Sequence, residues 1–447
     1  MRITLPNPKR FSKIFESVTN IPLDQPVTGI CTDSRECLNG DLYIAISGDK
    51  VDGHNFIQDA KNSGAIAAMV DQVITVDVDL QILSVNNSVA TIGKIANAWR
   101  KQYNIPIIGI TGSNGKTTTK ELTKHFLESK FNVHATKGNF NTSIGLPLTL
   151  LLLENSHEIS ILEMGASQIG DIKTLCRIAE PTDGLITNIG PAHLAGFESI
   201  NNVAVEKGEL FRHLTEGRVF KNVSDEHISK MTTPPNTIEY GCKSNCDYPV
   251  DYHRENDGNI ILIINANEIN LNSTNLVFAK NVLSATVIAN TFGIDWETIQ
   301  NKISTFTPTY GRSVITKYDK VTVIDDTYNA NYTSTLAALE NLIQLPENGR
   351  KIFVFGDMAE LGKYSEEYHN KIGEKCVEFG LDAVFTIGEE TITTEKAIKE
   401  LAFHKHFDEK NHLITELVQF IKKDDTILFK GSRSMEIEKI IQEVFKK

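Results

Sequence analysis

Cysteine is scarce, at six in 447 residues. That is too dilute for a disulfide scaffold and places the chain in a reducing cytosol. The close pairs Cys31/Cys37 and Cys242/Cys246 lack a second Cys or His pair at zinc-finger spacing, so they read as ordinary thiols. Long apolar runs are missing too. The most apolar stretch, Leu146–Leu153, falls far short of the roughly 20 residues a membrane span needs. The start, Met1-Arg-Ile-Thr-Leu-Pro6, lacks the charged-apolar-small order of a secretory signal. Positive charge is in deficit, 45 Lys+Arg against 57 Asp+Glu for a formal net charge of −12. This argues against a nucleic-acid partner, because phosphate neutralisation needs clustered Lys and Arg. A local positive site for a nucleotide is still compatible with it.

What is present describes a folded chain. Hydrophobic residues at 40% and charged residues at 23% exclude disorder, and the length predicts two to four domains. To about residue 86 the sequence shows short alternating segments, turns at Leu38–Asp41 and Gly48–Lys50, and a helix-like run near Asn55–Ser63. A helix over about Val89–Gln102 leads into a second block. There, strands at Ile105–Ile110, Ile159–Leu162 and Gly184–Thr187 alternate with helices such as Lys120–Ser129, the rhythm of a parallel sheet. The rhythm restarts near Thr307-Pro308, with strands at Val321–Ile324, Lys351–Phe355, Ala383–Ile387 and Thr426–Phe429. The predicted class is α/β in three domains, 1–86, 87–307 and 308–447.

Ligands of open parallel sheets bind beyond the carboxyl ends of the strands. The residues there are Thr111-Gly112, Glu163-Met164-Gly165, Asn188–Gly190, Asp325-Asp326, Gly356-Asp357, Gly388 and Lys430–Arg433. The sharpest signal is Gly109-Ile-Thr-Gly-Ser-Asn-Gly-Lys-Thr-Thr118, which follows a strand and opens a helix. Backbone N–H groups at such a turn cradle phosphate; Lys116 would reach the terminal phosphates and Thr117 would face Mg²⁺. Ile110 stands where the usual pattern has its first glycine. Nucleoside triphosphate binding leaves a kinase, a motor, a switch or a ligase open. Taken singly, Glu163 also reads as a solvated strand-end carboxylate, His193 as a loop histidine and Lys207 as a surface lysine. Arg312 and Asp326 also read as a structural ion pair.

The order and spacing of Gly109–Thr118, Glu163–Ala166, Asn188–His193 and Lys207 resemble the Mur ligases, the cytoplasmic amide-forming ATPases of peptidoglycan synthesis. Tyr310–Arg312, Asp325–Asn331, Gly356–Gly362 and Lys430–Arg433 are similar to the branch that adds D-alanyl-D-alanine to UDP-N-acetylmuramoyl-tripeptide. Thr32–Arg35, Gly40–Tyr43 and Asp52–His54 resemble the UDP-sugar domain shared with the diamino-acid-adding branch. The resemblance implies a small α/β UDP-sugar domain, a central P-loop ATPase domain, and a Rossmann-like C-terminal domain that closes over ATP and binds the dipeptide. It also implies a monomer acting on small molecules.

By the same resemblance, ATP is held by Gly112, Ser113, Asn114, Gly115, Lys116, Thr117, Thr118, Asn281, Arg312 and Asp326. Two Mg²⁺ ions are implied, with Thr117 and Glu163 serving the first and His193 and a carbamylated Lys207 the second. Ser34, Arg35, Asn139, Asn329 and Asn331 would meet substrate. Lys116, Glu163, His193 and Lys207 form the implied catalytic set. Lys280, Ser284, Tyr332 and Thr142 depart from the family pattern, and the Asp-Asn-Pro-Arg motif of the diamino-acid-adding branch is absent. Rivals are that branch, a folylpolyglutamate-type ligase and a nucleotide-driven switch. A site split between blocks predicts an open form without ligand and closure with it, on hinges near 87–104 and 307–311.

Overall fold

The computed structural model describes all residues except 49–50, 75–77, 243, 346–348 and 447. Asp49 and Lys50 of the predicted turn therefore lie outside the described residues. The described strands form three sheets. The first runs in the order β1 (Arg2–Thr4), β2 (Gly29–Cys31), β3 (Asp41–Ile44), β4 (Ala65–Val70), β5 (Gln81–Ser84), and only β1 is antiparallel to its neighbour. The run near Asn55–Ser63 is helical, split into a 3₁₀ turn at Gly53–Phe56 and a helix at Ile57–Asn62.

The second sheet contains β6 (Ile107–Thr111), β7 (Val133–Ala135), β8 (Ile159–Glu163), β9 (Asp183–Ile186), β10 (Arg218–Asn222), β11 (Thr237–Gly241), β12 (Tyr248–Arg254), β13 (Ile260–Ile264) and β14 (Asn267–Asn270). Its order is β14-β13-β12-β11-β10-β9-β6-β8-β7, parallel except at the β12–β14 edge. β6, β8 and β9 are buried throughout, as expected of parallel strands covered on both faces. Their continuous apolar runs made them readable in the sequence. β10–β14 were not predicted, and β12 is mostly half-buried or exposed, so no such run marks it.

The third sheet contains β15 (Val314–Tyr318), β16 (Val321–Asp326), β17 (Lys351–Gly356), β18 (Ala383–Ile387), β19 (His404–Phe407) and β20 (Thr426–Lys430). Its order is β15-β16-β20-β17-β18-β19, with only β15 antiparallel. The carboxyl ends of β16, β20 and β17 therefore lie side by side.

The helix Ser88–Arg100, at one of the expected hinges, is well packed. It packs against helices Pro8–Thr19, Gly145–Leu150 and Asp171–Ala179, and it buries Ile92, Ile95, Ala96 and Trp99. Trp99 Nε1 donates to the Leu153 carbonyl at 3.2 Å, and Arg100 Nε to that of Ala179 at 2.8 Å. One apolar cluster runs from Phe11 through Trp99 to Leu210, so the first and second sheets share one packed core. Trp99→Ala should cost about 3–5 kcal/mol of stability, measured as a lower urea midpoint. Loss of a single cooperative transition spanning both sheets is the accompanying signature.

A second stability prediction concerns His134 on β7. It is buried, with Nδ1 2.8 Å from Ser160 Oγ and Nε2 3.0 Å from the Thr149 carbonyl. Burial, then proximity to His157, pushes its pKa down to about 4. The unfolded imidazole titrates near 6.5. Between these values the unfolded chain binds a proton that the native chain refuses, so stability falls as pH drops from about 6.5 to about 4. The loss approaches about 3 kcal/mol. Urea midpoints at pH 7 and pH 5 measure it, and His134→Gln should flatten the dependence.

Candidate active site

The phosphate loop lies at the carboxyl end of β6, between β9 and β8 in the sheet. Its helix, Lys116–Leu127, starts from Gly115 in the left-handed region at φ +80. A side chain at Gly115 would place Cβ 2.3 Å from Asn281 Oδ1, and one at Gly112 (φ +145) 1.9 Å from Thr187 Oγ1. Only glycine lets the loop lie this close to its supports. Ser113 Oγ donates to the Gly190 carbonyl at 2.9 Å, and Asn114 N donates to Asn188 Oδ1 at 3.1 Å. These polar groups hold the loop against the segment that follows β9. Lys116 Nζ donates to the carbonyls of Gly112 at 2.8 Å and Ser113 at 3.3 Å. Desolvation lowers its pKa, the field of Glu163 raises it, and that of Arg312 lowers it further. Thr118 is half-buried in the first turn of the helix.

Glu163 ends β8 and is buried, which removes the solvated reading. Its backbone N–H donates to Thr136 Oγ1 at 3.0 Å, and Oε1 accepts from Asn141 Nδ2 at 2.7 Å. Oε2 is buried without a hydrogen-bond partner. The residue reaching Glu163 is thus Asn141; Asn139, named from the sequence as a substrate contact, is exposed in the same loop. Lys207 corrects its surface reading. On helix Ile200–His213 it is only 1% exposed. Among the described residues its ammonium has no hydrogen bond or ion pair, and it stands 5.8 Å from the Phe197 ring centroid. Burial, and next the charge of Lys116, lowers its pKa to about 7. The preceding Glu206 accepts from the backbone N–H groups of Gly170 at 2.7 Å and Ile172 at 2.6 Å, anchoring the helix.

The C-terminal domain is docked on this cleft. Arg312 Nη2 donates to Thr117 Oγ1 at 3.2 Å, its guanidinium lies 3.8 Å from the Tyr328 ring centroid, and its buried Nε has no hydrogen-bond partner. Arg312 and Asp326 form no ion pair. Asp326 instead meets the buried Lys430 at 2.5 Å and accepts from Ser313 Oγ at 3.0 Å. Lys430 Nζ also donates to the carbonyl of Asn329 at 3.0 Å, while Asn329 itself is exposed. Asn331, expected to touch substrate, stands at the domain junction. It caps helix Tyr332–Gln344 through Ser334 N at 2.9 Å, and its Nδ2 donates to Asn114 Oδ1 at 2.8 Å. The structure therefore has the engaged arrangement rather than the open one.

Asn281 lies buried beneath the loop and accepts from Thr119 Oγ1 at 3.3 Å. Ser284 is bonded to Tyr240 at 3.0 Å, so that departure is a core contact, and Lys280 is exposed. In the first domain Ser34 is buried, whereas the Arg35 side chain is 86% exposed and pairs with Asp33 at 2.6 Å. That guanidinium holds the Asp33 carboxyl down at about 2. Sequence reading passed over Asn141, Lys430 and Glu360, although the last two lay inside motifs it singled out. Their partners come from distant segments.

Among the described residues, no group of three His, Cys, Asp or Glu side chains is placed to hold a metal ion. The available donors, the Thr117 hydroxyl and the orphan Glu163 Oε2, suit Mg²⁺, which binds one or two carboxylates plus substrate phosphates. No helix of the described residues is long and apolar enough to cross a membrane.

Residues 26–108 match the Mur ligase family catalytic domain, 110–289 the Mur ligase middle domain, and 311–433 the Mur ligase glutamate ligase domain. The UDP-N-acetylmuramoyl-tripeptide–D-alanyl-D-alanine ligase of Synechocystis is 34% identical over 96% of this chain and 94% of its own. The fold superposes on MurF from Acinetobacter baumannii with TM-score 0.87 and 26% identity, covering 98% of each chain. MurF ligase from Thermotoga maritima in complex with ADP gives 0.81 at 30% identity, covering 93% of this chain and 97% of that one. With three domain matches in order and a relative of this identity and extent, the chain belongs to the Mur ligase family.

Proposed function

We propose that this chain is a monomeric, cytoplasmic, ADP-forming amide ligase that joins D-alanyl-D-alanine to UDP-N-acetylmuramoyl-tripeptide in peptidoglycan precursor synthesis. The observation that carries the reading is the convergence of Lys116, Glu163 and Arg312 across a domain junction. In a chain related throughout to ligases named for that reaction, it supports a role for these cations in neutralising phosphate charge.

A carboxylate is a poor electrophile and must be activated. Its oxygen attacks the γ-phosphorus of ATP, the bond to the β-phosphate oxygen breaks, and ADP leaves an acyl phosphate. The dipeptide amine then attacks the acyl carbon; the carbon–oxygen bond to phosphate breaks, phosphate departs and the amine loses a proton. The first step drives an anion into a polyanion, and two unit charges at 4 Å repel by about 4 kcal/mol at an effective dielectric of 20. Lys116 and Arg312 offset this in a partly desolvated cleft. Mg²⁺ held by Thr117 and Glu163, with a second ion at His193 and Lys207, would supply further neutralisation of the phosphates and carboxylate. A buried neutral amine at Lys207 can add CO₂ with loss of one proton, and the resulting carbamate is an anion suited to a cation. Asp326 keeps one lone pair on each oxygen for the ATP ribose. Ser34 and Arg35 lie toward the UDP-sugar, in the domain formed by residues 1–86.

Phosphate release with UDP-N-acetylmuramoyl-tripeptide, with and without D-alanyl-D-alanine, tests the reading. Release that depends on the dipeptide is expected. Release indifferent to it would sink the ligase assignment in favour of a nucleotide-driven switch.

A further inference from the structure

Two non-glycine residues in the left-handed region face each other across the junction of the middle and C-terminal domains. They are His193 at φ +52 and Glu360 at φ +63. Such conformations cost on the order of 1–3 kcal/mol each and persist where their surroundings over-determine them. Here the surroundings come from both domains. The Glu360 carbonyl accepts from Ala195 N at 2.9 Å, and Tyr364 Oη donates to the Glu198 carbonyl at 3.0 Å. Gly362 lies so close that a Cβ on it would stand 3.3 Å from Ala195 Cα. With its backbone fixed in this way, the Glu360 carboxylate stands 2.5 Å from His193 Nδ1 as an ion pair, at an angle outside hydrogen-bond geometry in this arrangement.

The contact leads inward. The His193 ring meets Phe197 edge-on with centroids 6.5 Å apart, and the opposite neighbour of Phe197 is the buried Lys207 ammonium at 5.8 Å. An imidazole offers a ligand only one nitrogen at a time, and the partner of the other nitrogen sets the tautomer and ring angle. With Nδ1 against Glu360, Nε2 is the nitrogen left for the site. No other carboxylate among the described residues forms an ion pair with His193.

We infer that Glu360 is a positioning residue, supplied by the C-terminal domain, that orients His193 only when that domain is docked. Carboxylate activation on the middle domain is thereby tied to arrival of the domain assigned to the dipeptide, which limits idle ATP turnover by the undocked form. The inference rests on the ligase reading for its consequence. Its geometric core stands apart from it.

Full-length wild type, Glu360→Ala, Glu360→Gln, His193→Ala and the Glu360→Ala/His193→Ala double variant are compared by hydrogen–deuterium exchange and by initial rates. In Glu360→Ala, exchange should rise severalfold in the peptides covering 193–198 and 358–364. kcat should fall by about 10–100-fold, with KM for ATP within about twofold. Glu360→Gln, which keeps an oxygen of the same reach beside Nδ1, should recover most of the rate. Glu360→Ala should add nothing in the His193→Ala background. Unchanged exchange in Glu360→Ala, or additive losses in the double variant, would overturn the inference. A wild type that needs no dipeptide for phosphate release would instead defeat the ligase reading, leaving the exchange result to judge the contact.

Discussion

Replacing Lys116 with alanine is expected to lower kcat/KM for ATP by about 10³-fold and to leave the urea midpoint nearly unchanged. The ammonium is folded onto the Gly112 and Ser113 carbonyls, within the fields of Glu163 and Arg312. In the proposed reaction it stands beside the phosphate charge that grows on transfer, in a desolvated part of the cleft. The loop itself is held by Ser113, Asn114 and Asn188, none of which needs the lysine. Stability and rate should for that reason separate. Phosphate-release kinetics together with ADP titration calorimetry check this. A variant with full turnover would remove Lys116 from the mechanism.

Lys207 should show the opposite signs in rate and stability. Lys207→Ala is expected to lose turnover by at least about 10²-fold, the scale of a removed metal ligand or its support. A short-chain carboxylate should restore part of that rate, because it would supply the anion that a carbamate otherwise provides. Lys207→Met should be inactive yet more stable than wild type at pH 7 by about 1–3 kcal/mol. The native ammonium is buried without a hydrogen-bond partner, whereas a thioether of similar length has no charge to desolvate. Rates with and without formate or acetate, set beside urea midpoints, give the measurement. Rate and stability falling together without rescue would make Lys207 a structural residue.

These outcomes also mark how far the sequence reaches. Strands β6, β8, β9, β16, β17, β18 and β20 were legible because each is a continuous apolar run, and such runs in parallel sheets are bounded by the Gly and Asp of the loops. The phosphate loop was legible because its glycines sit where backbone must pass within van der Waals contact of Thr187 and Asn281. β12 was not, since a strand half-buried or exposed along its length carries no comparable run. How firmly the segment at 87–104 packs was hidden for a related reason. An amphipathic helix looks alike whether it buries one face or, as with Trp99 and Ile92, packs between two domains.

Composition set the opening limits, and one of them has gained a location. The net charge of −12 said nothing about where the positive groups lie; folding gathers Lys116, Lys207 and Arg312 at one junction. By itself the sequence determined the α/β class, the phosphate loop and the family, because these depend on local periodicity and on short motifs in order. Only the tertiary structure decided that Asn141 meets Glu163, that Asp326 pairs with Lys430 rather than Arg312, and that Glu360 meets His193. Such pairings join segments far apart in the chain, and the distance between two side chains is fixed by sheet order and domain docking, which local sequence does not encode.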